Sequence, residues 1–272
     1  MTPYSLEVTP RNDDAFEAVA RLLPPLTEVF VADLPDQEPE LLIEACTRYR
    51  HAGFRPVPHL VARNIEGIDK LRFLLSRLVG EAGVEQALVL GGDRNEPAGP
   101  FKEALDLLET GQLSEHGIRR IAVACFPEGH PTIPRDRLQH ALEAKLAAAA
   151  QSGLDVLLVS QFLFDPRPLL DYTRRLRAGG IAVPLRAGLA GPADAETLLQ
   201  FAKELGVGGS KQVMQSKAAR PDERKADQSP QGLTTALVEA QASEPSLGIE
   251  GFHFFAFGST AETLAWANRH RP

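Results

Sequence analysis

The stretch QALVLGGD, residues 86–93, is the segment on which the fold prediction rests. Residues 87–90 are all apolar, and two glycines and a carboxylate follow them. A strand with one solvated face alternates apolar and polar residues, whereas a strand covered on both faces is apolar throughout. Seven further runs have the same character: SLEV (5–8), EVFVAD (28–33), RPVPHL (55–60), RIAVACFP (120–127), VLLVSQF (156–162), IAVPLRAG (181–188) and GFHFFAFG (251–258).

Amphipathic segments separate these eight runs, with apolar residues at the three- and four-residue spacing of a helix. Eight alternating units without a linker favour a single (β/α)8 barrel, an α/β fold over residues 1–272, rather than an open doubly wound sheet. Residues 207–231 lack a clear period and are expected to form a mobile lid or a disordered loop. The predicted helices cover residues 13–23, 38–52, 66–82, 101–110, 135–152, 167–178, 193–206, 232–242 and 260–270.

Composition and charge exclude several classes of protein. The 272 residues include 29 Lys and Arg against 36 Asp and Glu, a formal charge of −7, so nucleic acid is not an expected partner. No apolar run reaches the roughly 18 residues of a membrane span, and no signal-peptide pattern is present, so no membrane association is expected. Cys46 and Cys125 lack CxxC spacing, which predicts neither zinc nor a disulfide and favours a reducing cytoplasm.

Polar residues at the predicted strand ends are the candidates for a functional site. In a (β/α)8 barrel the carboxyl ends of the strands and the loops after them converge on one face, the mouth of the barrel, and this face carries the chemistry. The residues that fall there are Glu7, Asp33, His59, Asp93, Glu128, His130, Gln161 and Asp165.

Each candidate also has a structural explanation. Asp93 is either a turn residue after two glycines or a carboxylate beside a ligand that those glycines allow to approach. Glu7 lies within a strand, where burial would raise its pKa toward the range of a general acid, and an edge position is the alternative. His59 and His130 are either site residues or core and capping histidines.

Several site motifs are missing from the sequence. The histidines lack the HxH or HxxxD spacing of barrel metallohydrolases, so no metal is expected. No GxGxxG follows a strand, no GxSxG is present, and Cys125 has no base placed beside it. Spacing alone therefore predicts a mouth with carboxylates and histidines, and it leaves the substrate open.

The strand-end motifs, taken together and in chain order, resemble the methylenetetrahydrofolate reductase family, whose catalytic domain is a (β/α)8 barrel that binds FAD. The resemblance covers nearly the full chain, and seven motifs in register are far more specific than any one of them. SLEVTP resembles the family's SFEFFPP, PVPHL its PHLT, LVLGGD its LRGD, FPEGHP its YPEVHP, SQFLFD its TQFFFD, LRAGL its IPGIL and GFHFFAFG its DFHFYTLN.

The resemblance implies an NAD(P)H-linked reductase that interconverts 5,10-methylenetetrahydrofolate and 5-methyltetrahydrofolate. It implies that Glu7 is the general acid that helps to open the folate ring, and that Asp93, next to Gly92, lies by the flavin and the pterin and modulates both. It also implies that Gln161 contacts both rings. Histidines matching His59 and His130 contribute to the FAD site in this family.

Departures from the family pattern concern mainly the FAD contacts. Four usual contact residues are replaced here by Ala32, Gly91, Phe126 and Ala149, and the candidates to replace the lost cations are Arg94, His140 and Lys145. Ser259 stands where the family has an arginine, so the glutamate tail of the folate is expected to be held differently.

Three alternatives stay open at this point. The chain can pass hydride directly from NAD(P)H without a bound flavin, or run the same chemistry as methyltetrahydrofolate oxidation. It can also be a non-catalytic folate-binding barrel, although a binding protein has no need for a ring-opening acid. Assembly as a homo-oligomer, and the choice between NADH and NADPH, are left open by the sequence.

Overall fold

The computed structural model describes residues 3–204, 227–257 and 259–270. Its strands are β1 (Tyr4–Val8), β2 (Glu28–Val31), β3 (Arg55–Val61), β4 (Gln86–Leu90), β5 (Arg120–Cys125), β6 (Asp155–Leu163), β7 (Leu185–Ala190), β8 (Ala193–Asp194), β9 (Asp227–Gln228) and β10 (Ile249–Phe255). Eight of them close into a parallel barrel in the order β1-β10-β7-β6-β5-β4-β3-β2. The predicted (β/α)8 barrel is therefore confirmed. The two short strands β8 and β9 pair with each other in antiparallel orientation.

Helices follow the barrel strands along the chain. They are α1 (Asp13–Leu22), α2 (Pro39–His51), α3 (Ile68–Ala82), α4 (Ala104–Glu109), α5 (Gln112–Glu115), α6 (Arg135–Gln151), α7 (Pro166–Ala178), α8 (Ala195–Glu204), α9 (Gln231–Ser243) and α10 (Thr260–Arg269). Local sequence explains their ends: the Asn12 side chain accepts a hydrogen bond from the Ala15 amide and begins α1, and Gly83 ends α3 in the left-handed conformation. None of the helices in these ranges is long and apolar enough to cross a bilayer.

The continuous apolar character of the strands reflects burial on both faces. Alternate residues of a strand face opposite ways. Residues such as Leu6 and Val89 belong to the main hydrophobic core, which also contains the buried helix residues. The intervening residues fill the inside of the barrel with a second apolar cluster, made of Phe30, Val57, Leu88, Ala122, Leu157 and Val159.

Several predicted boundaries differ from the structure. The seventh barrel strand was expected over 181–188 but begins at Leu185, because Pro184 has no N–H to donate to the ladder. The fourth strand ends at Leu90, before its two glycines. The expected helix 101–110 is shorter, and Gly111, at a φ of 70°, separates it from α5.

The segment expected as a lid or a disordered loop, 207–231, falls mostly outside the described residues. Of its C-terminal part, residues 227–228 form β9 and residue 231 begins α9. The expected helix 193–206 starts later than predicted, because residues 193–194 form β8.

Four charged residues occupy the amino end of the barrel interior, and we call them the floor cluster: Glu28, Arg120, Arg186 and Glu250. Arg186 forms a salt bridge with Glu28, and its Nε lies 3.4 Å from Glu250 Oε1. Arg120 Nη2 lies 3.2 Å from the same Glu250 oxygen. Arg186 is only 6% exposed. Each charge thus faces an opposite charge, as buried ions require.

Candidate functional site

Four polar residues gather inside the barrel toward its carboxyl end, and we call them the mouth cluster: Ser5, Glu7, His59 and His253. Glu7 faces inward because its neighbours Leu6 and Val8 pack outward in the main core. Glu7 Oε2 lies 3.4 Å from His59 Nε2 and 3.6 Å from His253 Nε2. The Glu7 side chain is 28% exposed, whereas that of His253 is fully buried.

His253 is the residue of this cluster that the sequence analysis did not single out. Its Nδ1 lies 2.9 Å from Ser5 Oγ, within hydrogen-bond distance, and its ring meets those of Phe30 and Phe255 edge-on at 4.6 Å and 4.8 Å between centroids. These contacts hold the imidazole with Nε2 directed at Glu7. A signal was present, because His253 occupies an inward-facing position of the apolar run GFHFFAFG.

The pKa of Glu7 differs from the prediction. Burial alone raises the pKa of a carboxyl group, as expected, but His59 and then His253 outweigh burial and hold the pKa of Glu7 below its ordinary value. Burial is also the largest influence on His59, whose pKa it lowers against the attraction of Glu7. The prediction was wrong because it considered burial without the two imidazoles.

Asp93 lies on the exposed loop after β4. Gly92 in this loop has a φ of 99°, and a Cβ there would lie 2.4 Å from Val61 Cγ1. The packing of β3 therefore requires this glycine, whatever else approaches it. Arg63 holds the loop, because its Nε donates to the Lys102 carbonyl at 3.0 Å and its Nη1 to the Arg94 carbonyl at 2.8 Å.

Asp93 is close enough to His130 to affect its pKa, but no hydrogen bond or salt bridge between described residues joins Asp93 to the mouth cluster. Burial lowers the pKa of His130 and the Asp93 carboxylate raises it, with burial the stronger influence. The His130 ring meets the Phe126 ring edge-on at 5.3 Å, and Thr132 donates its amide N–H to His130 Nδ1 at 3.3 Å. His130 and Asp93 thus form a second, more exposed group.

Gln161 lies at an irregularity in β6, where the register with β7 shifts between Val159 and Phe162. Its Nε2 atom is buried and has no hydrogen-bond partner among the described residues. The backbone here is tightly packed, since a Cβ at Gly188 would lie 2.3 Å from the Ser160 carbonyl oxygen. A buried donor without a partner is costly, and this one is suited to an acceptor atom of a ligand.

The remaining predicted candidates have mixed environments. Asp33 accepts a hydrogen bond from Asn64 Nδ2 at 3.0 Å, and burial raises its pKa to about 6. Asp165 begins α7 by accepting a hydrogen bond from the Arg167 amide at 2.9 Å. The Glu128 carbonyl accepts a hydrogen bond from Arg135 Nη2 at 3.2 Å.

Aromatic rings line the mouth beside β6 and β10, a feature that the sequence analysis also missed. Phe255 and Phe257 are nearly parallel, at 7° with centroids 5.8 Å apart, and Phe162 meets Phe257 edge-on at 4.9 Å. Phe164 packs against Phe162 at 5.6 Å. We call these four residues the phenylalanine wall. Phe255 also contacts His253, so the wall adjoins the mouth cluster.

The four replaced FAD-contact positions carry no charge. Ala149 is completely buried and Ala32 is 8% exposed, so neither site offers a polar group. Near Phe126, however, Arg135, Lys145 and Arg175 line a cavity of about 130 Å³. Burial lowers the pKa of Lys145, which is the signature of an ammonium group held away from water. Among the described residues, no group of three or more His, Cys, Asp or Glu is arranged to hold a metal ion.

Comparison with known proteins gives one family. The family model described as methylenetetrahydrofolate reductase matches residues 25–268, so β1 and Glu7 precede the matched segment. Similar solved structures include a dihydropteroate synthase of Yersinia pestis, with 14% identity over 99% of this chain and 94% of that chain and a TM-score of 0.49. The dihydropteroate synthase of Thermus thermophilus has 16% identity, the same coverage and a TM-score of 0.49. A D-hydantoinase has 14% identity over 66% of this chain and 43% of that chain, with a TM-score of 0.40.

Proposed function

Because this chain belongs to the methylenetetrahydrofolate reductase family, we propose that it interconverts 5,10-methylenetetrahydrofolate and 5-methyltetrahydrofolate with NAD(P)H as the source of hydride. The observation that carries the proposal is the mouth cluster: a partly exposed carboxylate held between two buried imidazoles at the carboxyl end of a barrel. Such a cluster can store and deliver a proton, which is what opening the folate ring requires.

In this proposal Glu7 delivers the proton to the leaving nitrogen of the folate ring, and the ring opens to the iminium that accepts hydride. His253 and His59 are the neighbours that exchange protons with Glu7, because each places Nε2 within 3.6 Å of its carboxylate. Ser5 fixes the orientation of His253 through Nδ1. In the free protein, burial raises the pKa of Glu7, and the two imidazoles lower it by more than burial raises it.

The surrounding residues position the rings. The phenylalanine wall offers an apolar surface beside the mouth cluster, against which a flat heteroaromatic ring can pack. The unpartnered Gln161 Nε2 is a donor for a ring oxygen or nitrogen of the pterin. Asp93 and His130 would act from the exposed loops above, where Asp93 is available to the pterin or the cofactor.

FAD is the hydride carrier that the family implies, and when bound it accepts hydride from NAD(P)H and passes it to the folate. The residues of this chain fit one end of FAD better than the other. Gln161 and the phenylalanine wall suit the ring end, whereas the four replaced positions offer nothing to the diphosphate. Arg135 and Lys145, which line the cavity near Phe126, are the residues that would hold the diphosphate instead.

A second candidate is direct hydride transfer from NAD(P)H to the folate without a flavin. The absence of the family's two cations, which are replaced here by Gly91 and Ala149, favours it, since each charge-assisted hydrogen bond contributes about 1.5–3 kcal/mol. Both candidates retain Glu7 as the acid.

We also place the protein in the cytoplasm, consistent with two free, buried cysteines.

The experiment that tests the proposal is an absorption spectrum of the purified protein, with and without added FAD. A flavoprotein reductase absorbs near 450 nm, loses this band with NAD(P)H and regains it with 5,10-methylenetetrahydrofolate. A colourless protein that oxidises NAD(P)H only when the folate is present supports the second candidate. A protein that does neither, even with FAD, contradicts both.

A further inference from the structure

A second cavity lies at the end of the barrel opposite the mouth. Its volume is about 190 Å³, and it is formed where α2 and α3 end and where β3, β4 and β5 begin. Four arginines line it: Arg50, Arg55, Arg119 and Arg120. The chain as a whole carries a formal charge of −7, so this concentration of guanidinium groups is a local reversal of charge.

Most of this positive charge is not neutralised within the described residues. Arg120 pairs with Glu250, and the lining residue Glu28 is occupied by Arg186 in the floor cluster. Arg50, Arg55 and Arg119 form no salt bridge with any described residue, and Glu85 is the remaining carboxylate in the lining. Three free guanidinium groups against one carboxylate leave the cavity with a net positive charge.

A buried amide gives an independent indication that a ligand binds here. Gln86 lines the cavity, is 8% exposed, and its Nε2 atom is buried without a hydrogen-bond partner among the described residues. It faces the barrel interior, because Leu88, two residues later on β4, belongs to the interior cluster. The buried donor Gln86 Nε2 lies among the arginines of the cavity, three of which are exposed at its rim, so an occupant with several acceptor oxygens can satisfy both.

We propose that this cavity binds a phosphate group, either as inorganic phosphate or as the phosphoryl group of a small metabolite. Guanidinium groups match phosphate oxygens with paired hydrogen bonds, and a phosphate dianion supplies both the negative charge and the acceptors that the cavity lacks. The cavity volume is several times the ~30 Å³ that one water molecule takes up in the liquid. The cavity can therefore hold a phosphate group together with part of the metabolite that carries it. The site is at the opposite end from Glu7 and does not depend on the proposed reductase activity.

Calorimetric titration of the whole protein with inorganic phosphate, pyrophosphate and glycerol 3-phosphate tests this proposal, with sodium chloride at matched ionic strength as the reference. We expect one binding site per chain and a rise in melting temperature that chloride does not reproduce. The double variant R55A/R119A should weaken binding by about a hundredfold, roughly tenfold per arginine. The control R137A, which removes one arginine charge from the exposed surface of α6, should leave binding unchanged, whereas the single variant R119A should weaken it about tenfold.

The possible outcomes identify the source of the phosphate, and two of them would overturn the proposal. Tighter binding of glycerol 3-phosphate than of inorganic phosphate assigns the site to a phosphorylated metabolite, and the reverse order assigns it to the free ion. Equal loss of binding in R137A, or a melting shift that chloride reproduces, overturns the proposal. Because Arg119 is on the exposed rim, the single variant R119A provides the same test if the double variant does not fold.

Discussion

The inside of this barrel holds two charged clusters, one at each end, and an apolar layer that includes Phe30 separates them. In the floor cluster, arginine guanidinium groups face carboxylates. In the mouth cluster a carboxylate faces two imidazoles, the side chain most often used to transfer protons. The same barrel therefore uses buried charge in two ways.

The distances between charged atoms also differ between the two clusters. Arg186 forms a hydrogen-bonded salt bridge with Glu28 and lies 3.4 Å from Glu250, whereas both imidazoles of the mouth cluster approach Glu7 at 3.4 and 3.6 Å, beyond good hydrogen-bond distance. His59 Nε2 and His253 Nε2 have no hydrogen-bond partner among the described residues. Arg186 Nε also has no hydrogen-bond partner there, but Arg186 donates to Glu28 through Nη1, whereas neither Nε2 atom that faces Glu7 has a partner. The mouth cluster therefore retains more capacity for a proton or a substrate.

The largest effect should come from Glu7→Gln, which removes the proton donor and keeps the shape. We expect turnover to fall by about 10²–10⁴-fold, because general acid catalysis typically contributes that much, with folate affinity little changed. Steady-state kinetics with a folate-binding titration measure both quantities. The matched variant Glu28→Gln in the floor cluster should do the reverse, lowering stability and sparing turnover of the folded protein. More than a tenth of normal turnover in Glu7→Gln would contradict the assignment of the proton donor to the mouth cluster. A non-catalytic folate-binding protein would show no turnover in the wild type either.

The next effect concerns stability. Arg186→Ala leaves Glu28 and part of Glu250 without a counter-charge inside the barrel, and breaking a buried pair from one side costs about 3–5 kcal/mol. Urea unfolding monitored by circular dichroism measures this difference. Arg137→Ala, at an exposed position, should change the free energy of unfolding by less than about 0.5 kcal/mol. A loss below about 1 kcal/mol for Arg186→Ala would mean that the floor cluster does not hold the barrel.

Asp33 provides a pH-dependent effect near the mouth. Its pKa is about 6 in the folded protein against an ordinary value of 3.8, so folding favours its protonated form. Its contribution to stability is therefore fully present below pH 3.8 and is lost as the pH rises through 6. Asp33→Asn keeps an oxygen for Asn64 Nδ2 and should stabilise the protein by roughly 1–3 kcal/mol at pH 8. Thermal unfolding at pH 5 and pH 8 tests this, and an equal gain at both values would contradict it.

The smallest effect is expected from Ser5→Ala, which removes the hydroxyl that orients His253. Losing one such hydrogen bond should cost about 0.5–1.5 kcal/mol of stability. If His253 exchanges protons with Glu7, the variant should also shift the pH profile of turnover, and Ser5→Thr should restore it. Loss of stability without a shift in the pH profile would assign Ser5 a structural role only.

Strand burial was the most predictable feature of this chain, because continuous apolar runs separated by amphipathic segments leave few alternatives to a parallel barrel. Boundaries were less predictable where proline or glycine ended a ladder, as at Pro184 and Gly91. The position of Glu7 at the carboxyl end of β1 also follows from the sequence alone.

The electrostatics of the site did not follow from the sequence. The pKa of Glu7 depends on His59 and His253, which come from strands distant in sequence and meet it only through the register of the barrel. The phenylalanine wall and the floor cluster arise in the same way, from strand-strand neighbours. The sequence pattern identifies which residues lie at one end of the barrel. Their pKa values depend on contacts between strands that the pattern does not show.

The most direct test of the account is to incubate the purified protein with NAD(P)H, FAD and 5,10-methylenetetrahydrofolate, and to quantify the folate product by liquid chromatography. We predict 5-methyltetrahydrofolate in equal amount to the NAD(P)H consumed, from the wild type and from folded Glu28→Gln, and almost none from Glu7→Gln. Absence of that product from the wild type, or undiminished product from Glu7→Gln, would contradict the assignment of the chemistry to the mouth cluster.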